Sequence, residues 1–233
     1  MHIGIIGATG NIGQRLVVEA LDRGHRVTAF SRDASGIADD RDGVTWRSLD
    51  VLDTDAVAKA IGGLDVLISG FQPGNAAKDL DDTLKRSIAD PGIYAEVARS
   101  LVTALAAHPR VRLIVIGGAG SLETSPGVVG ADDTAKLEDV LEQLGLPREY
   151  AVSVRGARDS LNVYRTSNRL WTYFSPADDI RAGQRTGRFR LGGDQVLTDA
   201  DGLSRISFED AAVALIDEAE LPQHVQRRFT AAY

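Results

Sequence analysis

The chain has 233 residues, 43% of them hydrophobic and 25% charged, with a net charge of −7 and no cysteine. That is length and apolar content for one α/β domain with a sizeable core. The negative field repels nucleic acid and anionic membrane surfaces, and the lack of cysteine excludes disulfides, thiolate metal sites and cysteine nucleophiles.

HIGII (2–6) is a short, continuous apolar run, the pattern of a strand buried on both faces. It starts at residue 2, which leaves no room for a signal peptide, and no apolar run reaches the roughly 18 residues of a membrane span. The expectation is a cytoplasmic protein with no membrane and no nucleic-acid partner. A helix over 12–24 follows, with Ile12, Leu16, Val17, Ala20 and Leu21 on one face and Gly24 as its stop. Strands are expected at 25–32 and 44–50, a helix at 54–63 capped by Thr54, and a strand at 65–70.

FQPGNAAKDLDD (71–82) reads as a polar loop. Next come a helix over 93–108, a buried strand at 112–118 and an amphipathic helix over 134–145. The longest helix runs from Arg148 to about Asn168, with Tyr150, Val154, Ala157, Leu161 and Tyr164 on one stripe. Arg148, Arg155, Arg158, Arg165 and Arg169 lie on a neighbouring one. A strand at 171–176, the segment RTGRFRLGGD, a helix at about 208–219 and a last strand in QRRFTAAY complete the chain. Strands alternating with helices predict a doubly wound parallel sheet with helices on both faces, a Rossmann fold. The expected organisation is one dinucleotide-binding domain over 1–233, with residues about 171–207 contributing to the substrate side.

GATGNIG, between the first strand and the first helix, is the motif with chemical content. Gly7 permits a tight turn with positive φ, Gly10 keeps a side chain away from a pyrophosphate, and Gly13 lets helix and strand pack closely. Backbone N–H groups around Thr9, Asn11, Ile12 and Gly13 then hold phosphate, with Asn11 placed to cap the helix. An NAD-selective site puts a carboxylate at the end of the second strand. Here Ser31 and Arg32 stand there, and a guanidinium suits a 2′-phosphate. NADP(H) is therefore favoured over NAD(H), with Asp33 one residue away as the argument for NAD(H).

The stretches IIGATGNIG (5–13), SRD (31–33), LDVLD (49–53), IGGAGSLE (116–123) and RTGRFRLGGDQ (185–195) resemble those of the atypical short-chain dehydrogenase/reductases with an NAD(P)H-binding, NmrA-like domain. Within that family the chain looks most like the bacterial group described as NADH-flavin reductases, and more distantly like biliverdin reductase B, a flavin reductase. The resemblance spans nearly the whole chain and implies further contacts. Asp50 and Val51 would flank the adenine, and Ser69, Gly70 and Phe71 would pass under the nicotinamide ribose. Gly117 and Gly118 would join the cofactor site, Ser175 and Pro176 would form the turn beside the nicotinamide, and Ser121 matches the family's active-site serine.

The family's chemistry rests on a Tyr with a Lys four residues on. Here Tyr94, Tyr150, Tyr164 and Tyr173 are followed at that spacing by Ala98, Val154, Asn168 and Ala177, and Tyr233 is the last residue, so no such pair exists. Tyr150 and Tyr164 read as apolar-face residues of the long helix. Ser121 reads equally as a hydrogen-bond donor to substrate or as a structural loop serine. Two functions stay open. One is a reductase passing hydride to a flavin, quinone or similar planar acceptor, which needs little dedicated acid chemistry. The other is a dinucleotide-binding sensor of NmrA-like type, with the arginine stripe facing a protein partner. A nucleotide-sugar epimerase fares worse, since that group shares the Tyr–Lys pattern.

Overall fold

The computed structural model describes residues 1–39, 41–73 and 79–233. The first half of the chain runs β1 (His2–Ile6), α1 (Asn11–Asp22), β2 (Arg26–Ser31), β3 (Val44–Ser48), α2 (Thr54–Ile61), β4 (Val66–Ser69), α3 (Leu80–Ala89), α4 (Ile93–Ala104) and β5 (Arg112–Ile116). The second half adds a short hairpin, β6 (Glu123–Ser125) and β7 (Val128–Val129), then α5 (Thr134–Gln143), α6 (Ala151–Arg165), β8 (Trp171–Pro176), β9 (Asp179–Arg181), β10 (Arg190–Gly192), β11 (Arg205–Ser207), α7 (Phe208–Glu220) and β12 (Arg227–Ala232).

Eight strands form one sheet in the order β3-β2-β1-β4-β5-β8-β12-β10. All neighbours run parallel except β10, which pairs antiparallel with β12 at the edge. Parallel strands need crossovers, and the crossovers put helices on both faces, so the inner strands are apolar on both sides. β4 and β8 are accordingly buried along their whole length. On one face α1 packs against α7 over Ile3, Ile5, Val27, Phe174 and Phe229, with the two phenyl rings 5.0 Å apart. On the other, α2, α4 and α6 cover Ile6, Phe30, Leu67, Leu113 and Tyr173. Each such fully buried side chain contributes about 1.5–3 kcal/mol. Between β1 and β4 the winding of the sheet reverses direction, which opens a crevice at the carboxyl ends of these strands. No helix among the described residues is long and apolar enough to cross a membrane.

Several sequence expectations need correction. Gly10, not Asn11, is the residue that caps α1, and no side chain closes that helix end. Asp53, not Thr54, caps α2: its carboxylate accepts the Ala56 N–H at 2.9 Å, whereas the Thr54 hydroxyl donates to Ser100 Oγ. The stretch 71–82 is loop only at its start, 74–78 lying outside the described residues. Helix α3 begins at Leu80, capped by Asp79, which accepts from the Asp82 N–H at 2.9 Å. The polar composition hid it, although Asp81 and Asp82 in the first turn and Arg86 in the last are the charges that complement a helix dipole. The long helix is shorter than expected, since Arg148–Tyr150 form a single 3-10 turn before α6.

RTGRFRLGGD is a strap followed by the edge strand β10. Arg185 reaches Glu19 on α1 with two bonds of 2.7 and 2.8 Å. Glu19 is 4% exposed and also holds Arg23 at 2.8 Å. The Arg185 bonds, with Arg23 adding to them, keep its carboxyl below the usual carboxylate range despite burial. A depressed folded value means stability that is present above the unfolded value near 4.5 and lost as pH falls through the folded one. Glu19→Gln is therefore expected to flatten the acid limb of the stability curve, read by thermal melts stepped downward from neutral pH. An unchanged acid limb would show that Glu19 does not carry it.

Candidate active site

The crevice at the ends of β1, β4, β5 and β8 is a cleft of about 1590 Å³. Small-molecule pockets usually hold about 300–1,000 Å³, so this one has room for a dinucleotide and a second molecule. Its floor is the glycine ladder: Gly7, Thr9, Gly10, Asn11, Ile12 and Gly13 all line it. Gly7 has φ +75°, a left-handed value that favours glycine, and turns the chain back so that Gly10 N–H bonds to its carbonyl at 2.9 Å. A methyl group on Gly13 would overlap the Gly7 carbonyl oxygen and stand 2.8 Å from Ala8 Cα.

The start of α1 is chemically open. Gly10 supplies no capping side chain, and the first turn carries no acid. The first N–H groups of a helix have no intrahelical partner, and the helix dipole adds positive potential there. Uncapped N–H groups facing a glycine-lined floor make a seat for phosphate.

Beside the ladder, Ala8 N–H reaches the Phe30 carbonyl at 3.4 Å, which places the end of β2 next to the phosphate seat. Ser31 closes β2, and Leu49 N–H bonds to its carbonyl at 2.8 Å, bringing the segment with Asp50 and Val51 alongside. Arg32 is exposed and has no ion-pair partner among the described residues. Asp33 turns away from it: its carboxylate accepts from Ser35 Oγ at 2.6 Å and Ser35 N–H at 2.9 Å, bonds that hold it below the usual carboxylate range. Asp50 accepts from Leu52 N–H at 3.0 Å, and Val51 is buried.

Ser69, Gly70 and Phe71 line the cleft at the end of β4, Gly117 and Gly118 at the end of β5, and Pro176 at the end of β8. Gly117 has no room for a side chain because the Tyr173 ring lies against it. Ser121 and Ser175 sit elsewhere. Both are buried, their hydroxyls 2.7 Å apart, and Ser121 Oγ also donates to the Gly118 carbonyl at 2.8 Å. The Ser121 carbonyl is held by the Arg228 guanidinium. Neither serine lies on the cleft wall, and together they tie the loop after β5 to β8.

Tyrosine hydroxyls also reach the wall. Tyr94 on α4 meets Ser153 Oγ at 3.1 Å and packs its ring edge-on to Phe71 at 6.1 Å. Burial pushes its hydroxyl up to about 12, and Tyr150 nearby adds to the shift. Tyr150 lines the same wall and is also raised by burial. Neither has a Lys four residues on, and the group that meets Tyr94 comes from α6, 59 positions along the chain. Tyr164 is buried against Trp171 and Tyr173, in agreement with its place on the apolar stripe.

The arginine stripe finds partners within the chain. Arg155 bonds to the Ala131 carbonyl at 3.0 Å, and Arg158 pairs with Asp132 at 2.5 Å and Asp159 at 2.7 Å. Arg148 meets Glu138 at 3.3 Å, and Arg165 and Arg169 meet asparagine side chains.

A glycine ladder at an uncapped helix start, at the switch point of a parallel sheet, defines a dinucleotide-binding Rossmann protein. The family model described as NAD(P)H-binding matches residues 7–219, and the chain belongs to that family. The atypical short-chain dehydrogenase/reductase resemblance stands with it. YwnB of Bacillus subtilis (strain 168), itself uncharacterized, is 33% identical over 235 residues, spanning 99% of this chain and 97% of its own. Among solved structures, a candidate epimerase from Bacteroides thetaiotaomicron is 34% identical with a TM-score of 0.81, covering 100% of this chain and 96% of that one. A candidate NADH-flavin reductase from Streptococcus pneumoniae TIGR4 is 27% identical with a TM-score of 0.79, covering 100% of this chain and 99% of that one.

Proposed function

We propose that the protein is an NAD(P)H-dependent reductase that passes hydride to a planar acceptor of the flavin or quinone kind. The observation that carries this reading is the continuity of the cleft. One cavity runs from the phosphate seat at Gly7–Gly13 to a chamber walled by Phe71, Tyr94, Val115, Leu137 and Val154. A dinucleotide with its pyrophosphate on the ladder reaches toward β2 with one half and along β4, β5 and β8 with the other. The apolar chamber then faces the nicotinamide and excludes water around a flat acceptor. The name of the Streptococcus pneumoniae neighbour supports the flavin side of this reading.

NADPH is the favoured donor. Asp33 is engaged by Ser35, and Arg32 is left exposed at the end of β2, where a ribose 2′-phosphate would meet it. Charge-assisted hydrogen bonds contribute about 1.5–3 kcal/mol. Arg32→Ala is therefore expected to weaken NADPH roughly 10- to 100-fold and NADH less than about threefold. Fluorescence titrations with both cofactors measure this, and equal losses would show that Arg32 does not read the phosphate.

The function itself is tested by following the absorbance of the reduced nicotinamide after adding FMN, riboflavin or a quinone. Oxidation above the rate without protein supports the reductase. Tight binding of the cofactor with no oxidation by any acceptor would replace it with the sensor.

A further inference from the structure

Asp178 follows β8 by two residues and lines the cleft. Its backbone N–H donates to Ser204 Oγ at 3.3 Å, but among the described residues no donor reaches its carboxylate. The other acids on the cleft wall differ from it: Asp179 holds Arg181, and Asp139 is exposed to solvent. A half-buried carboxylate without hydrogen bonds is costly, and the usual relief is to keep its proton. Burial does push the Asp178 carboxyl above the usual carboxylate range. Lys136 on α5, which also lines the cleft and whose ammonium has no carboxylate partner among the described residues, opposes that shift.

Position gives this carboxyl a task. With the pyrophosphate on the ladder and the adenosine half toward β2, the nicotinamide half lies along β4, β5 and β8. Asp178 stands just beyond β8, at the acceptor's end of the cleft. Ser121 and Ser175 are buried and bonded to each other, and the Tyr94 hydroxyl is bonded to Ser153 and hard to ionise.

We propose that Asp178 is the acid of this cleft and holds its proton against a carbonyl oxygen or ring nitrogen of the planar acceptor. The proposal rests on the reductase reading. The C4–H bond of NAD(P)H breaks, and its hydride adds to the acceptor. The electron pair displaced onto the acceptor's oxygen or nitrogen takes the Asp178 proton. NAD(P)⁺ and the dihydro-acceptor leave, and the Asp178 carboxylate regains a proton from solvent. The acceptor class is a neutral conjugated carbonyl compound, a quinone or a flavin ring.

The test compares wild type with Asp178→Asn and Asp178→Ala, using NADPH with menadione and with riboflavin. Asparagine keeps a donor but has no proton to give. Asp178→Asn is expected to keep NADPH affinity, menadione affinity and melting temperature, and to lower kcat about 100- to 1,000-fold. Asp178→Ala is expected to lose acceptor affinity as well. Wild-type kcat should fall as pH rises through the Asp178 titration, because the protonated form acts, and the asparagine variant should lack that limb. A wild-type kcat and pH profile in Asp178→Asn overturns the proposal.

If the wild type oxidises NADPH with neither acceptor, the reductase reading fails. Menadione binding to the cofactor complex then decides the role of Asp178 separately. Affinity that falls with pH in wild type and stays level in Asp178→Asn supports the hydrogen bond. Affinity that is level, or absent, in both overturns it. Menadione active and riboflavin inactive assigns the quinone class, and the reverse assigns the flavin.

Discussion

Gly13→Ala is expected to lower the melting temperature by roughly 10 °C and to weaken NADPH binding by about 100-fold or more. The added methyl meets the Gly7 carbonyl oxygen and Ala8 Cα, which are backbone, so no side chain can swing aside. Relief requires α1 to move off β1. That helix buries Leu16, Val17 and Ala20 in the core, so the movement breaks packing as well as the phosphate seat. Overpacking of this kind costs about 3 kcal/mol, the upper end of the usual range. Gly10→Ala separates the two effects. Gly10 has φ −76° and ψ 171°, extended backbone that any residue adopts. Its methyl would stand where the pyrophosphate approaches, so binding should fall while the melting temperature holds. Circular-dichroism melts and cofactor titrations on the two variants make the comparison. Gly13→Ala melting and binding like wild type would refute the close-packing role.

Asp210→Ala is expected to cost about 3–4 kcal/mol and to free the strap from the rest of the fold. Asp210 is fully buried. One of its oxygens accepts the Thr186 and Gly187 N–H groups, both at 2.8 Å. The other accepts the Thr186 hydroxyl at 2.5 Å and the Tyr233 hydroxyl at 2.9 Å. Removing the carboxylate strands four donors, and hydrogen bonds to a charged acceptor are the expensive ones to lose. Thr186 in the strap, and Gly183 and Gln184 just before it, line the cleft wall, so the damage reaches the site. Hydrogen exchange should show the amides of Thr186 and Gly187 opening far more often in the variant. Asp210→Asn, which still accepts at one oxygen, should lose less than half as much. Protection at those two amides equal to wild type would mean that other contacts hold the strap.

The cofactor half of the site was legible because it is made of backbone. Phosphate binding by N–H groups needs glycines at fixed spacing between a strand and a helix, and that requirement is local in sequence. The order of strands and helices was legible for a similar reason, since buried parallel strands are apolar runs such as Val66–Ser69 and Arg112–Ile116. Helix α3 was not, because its composition is polar and the signals that mark it are a cap and the charges of its first and last turns. Asp33 is instructive: its residue type argued for NAD(H), but its carboxylate had already closed a turn on Ser35.

The rest of the cleft was decided by tertiary structure alone. Ser121 carries a motif-level likeness to an active-site serine, yet the fold turns it inward onto Ser175 from β8, 54 positions along the chain. Tyr94 and Ser153 meet across 59 positions, and no spacing rule applies to groups brought together by packing. Asp178 has no sequence signature at all. It differs from the other acids only in being half-buried with a carboxylate that has no hydrogen-bond partner among the described residues. Sequence by itself determined the sheet, the phosphate seat and the family, because those depend on local periodicity and backbone geometry. Which side chains line the rest of the cleft, and which of them are hydrogen-bonded, was decided by tertiary structure, because solvation and hydrogen bonding depend on everything that packs around a group.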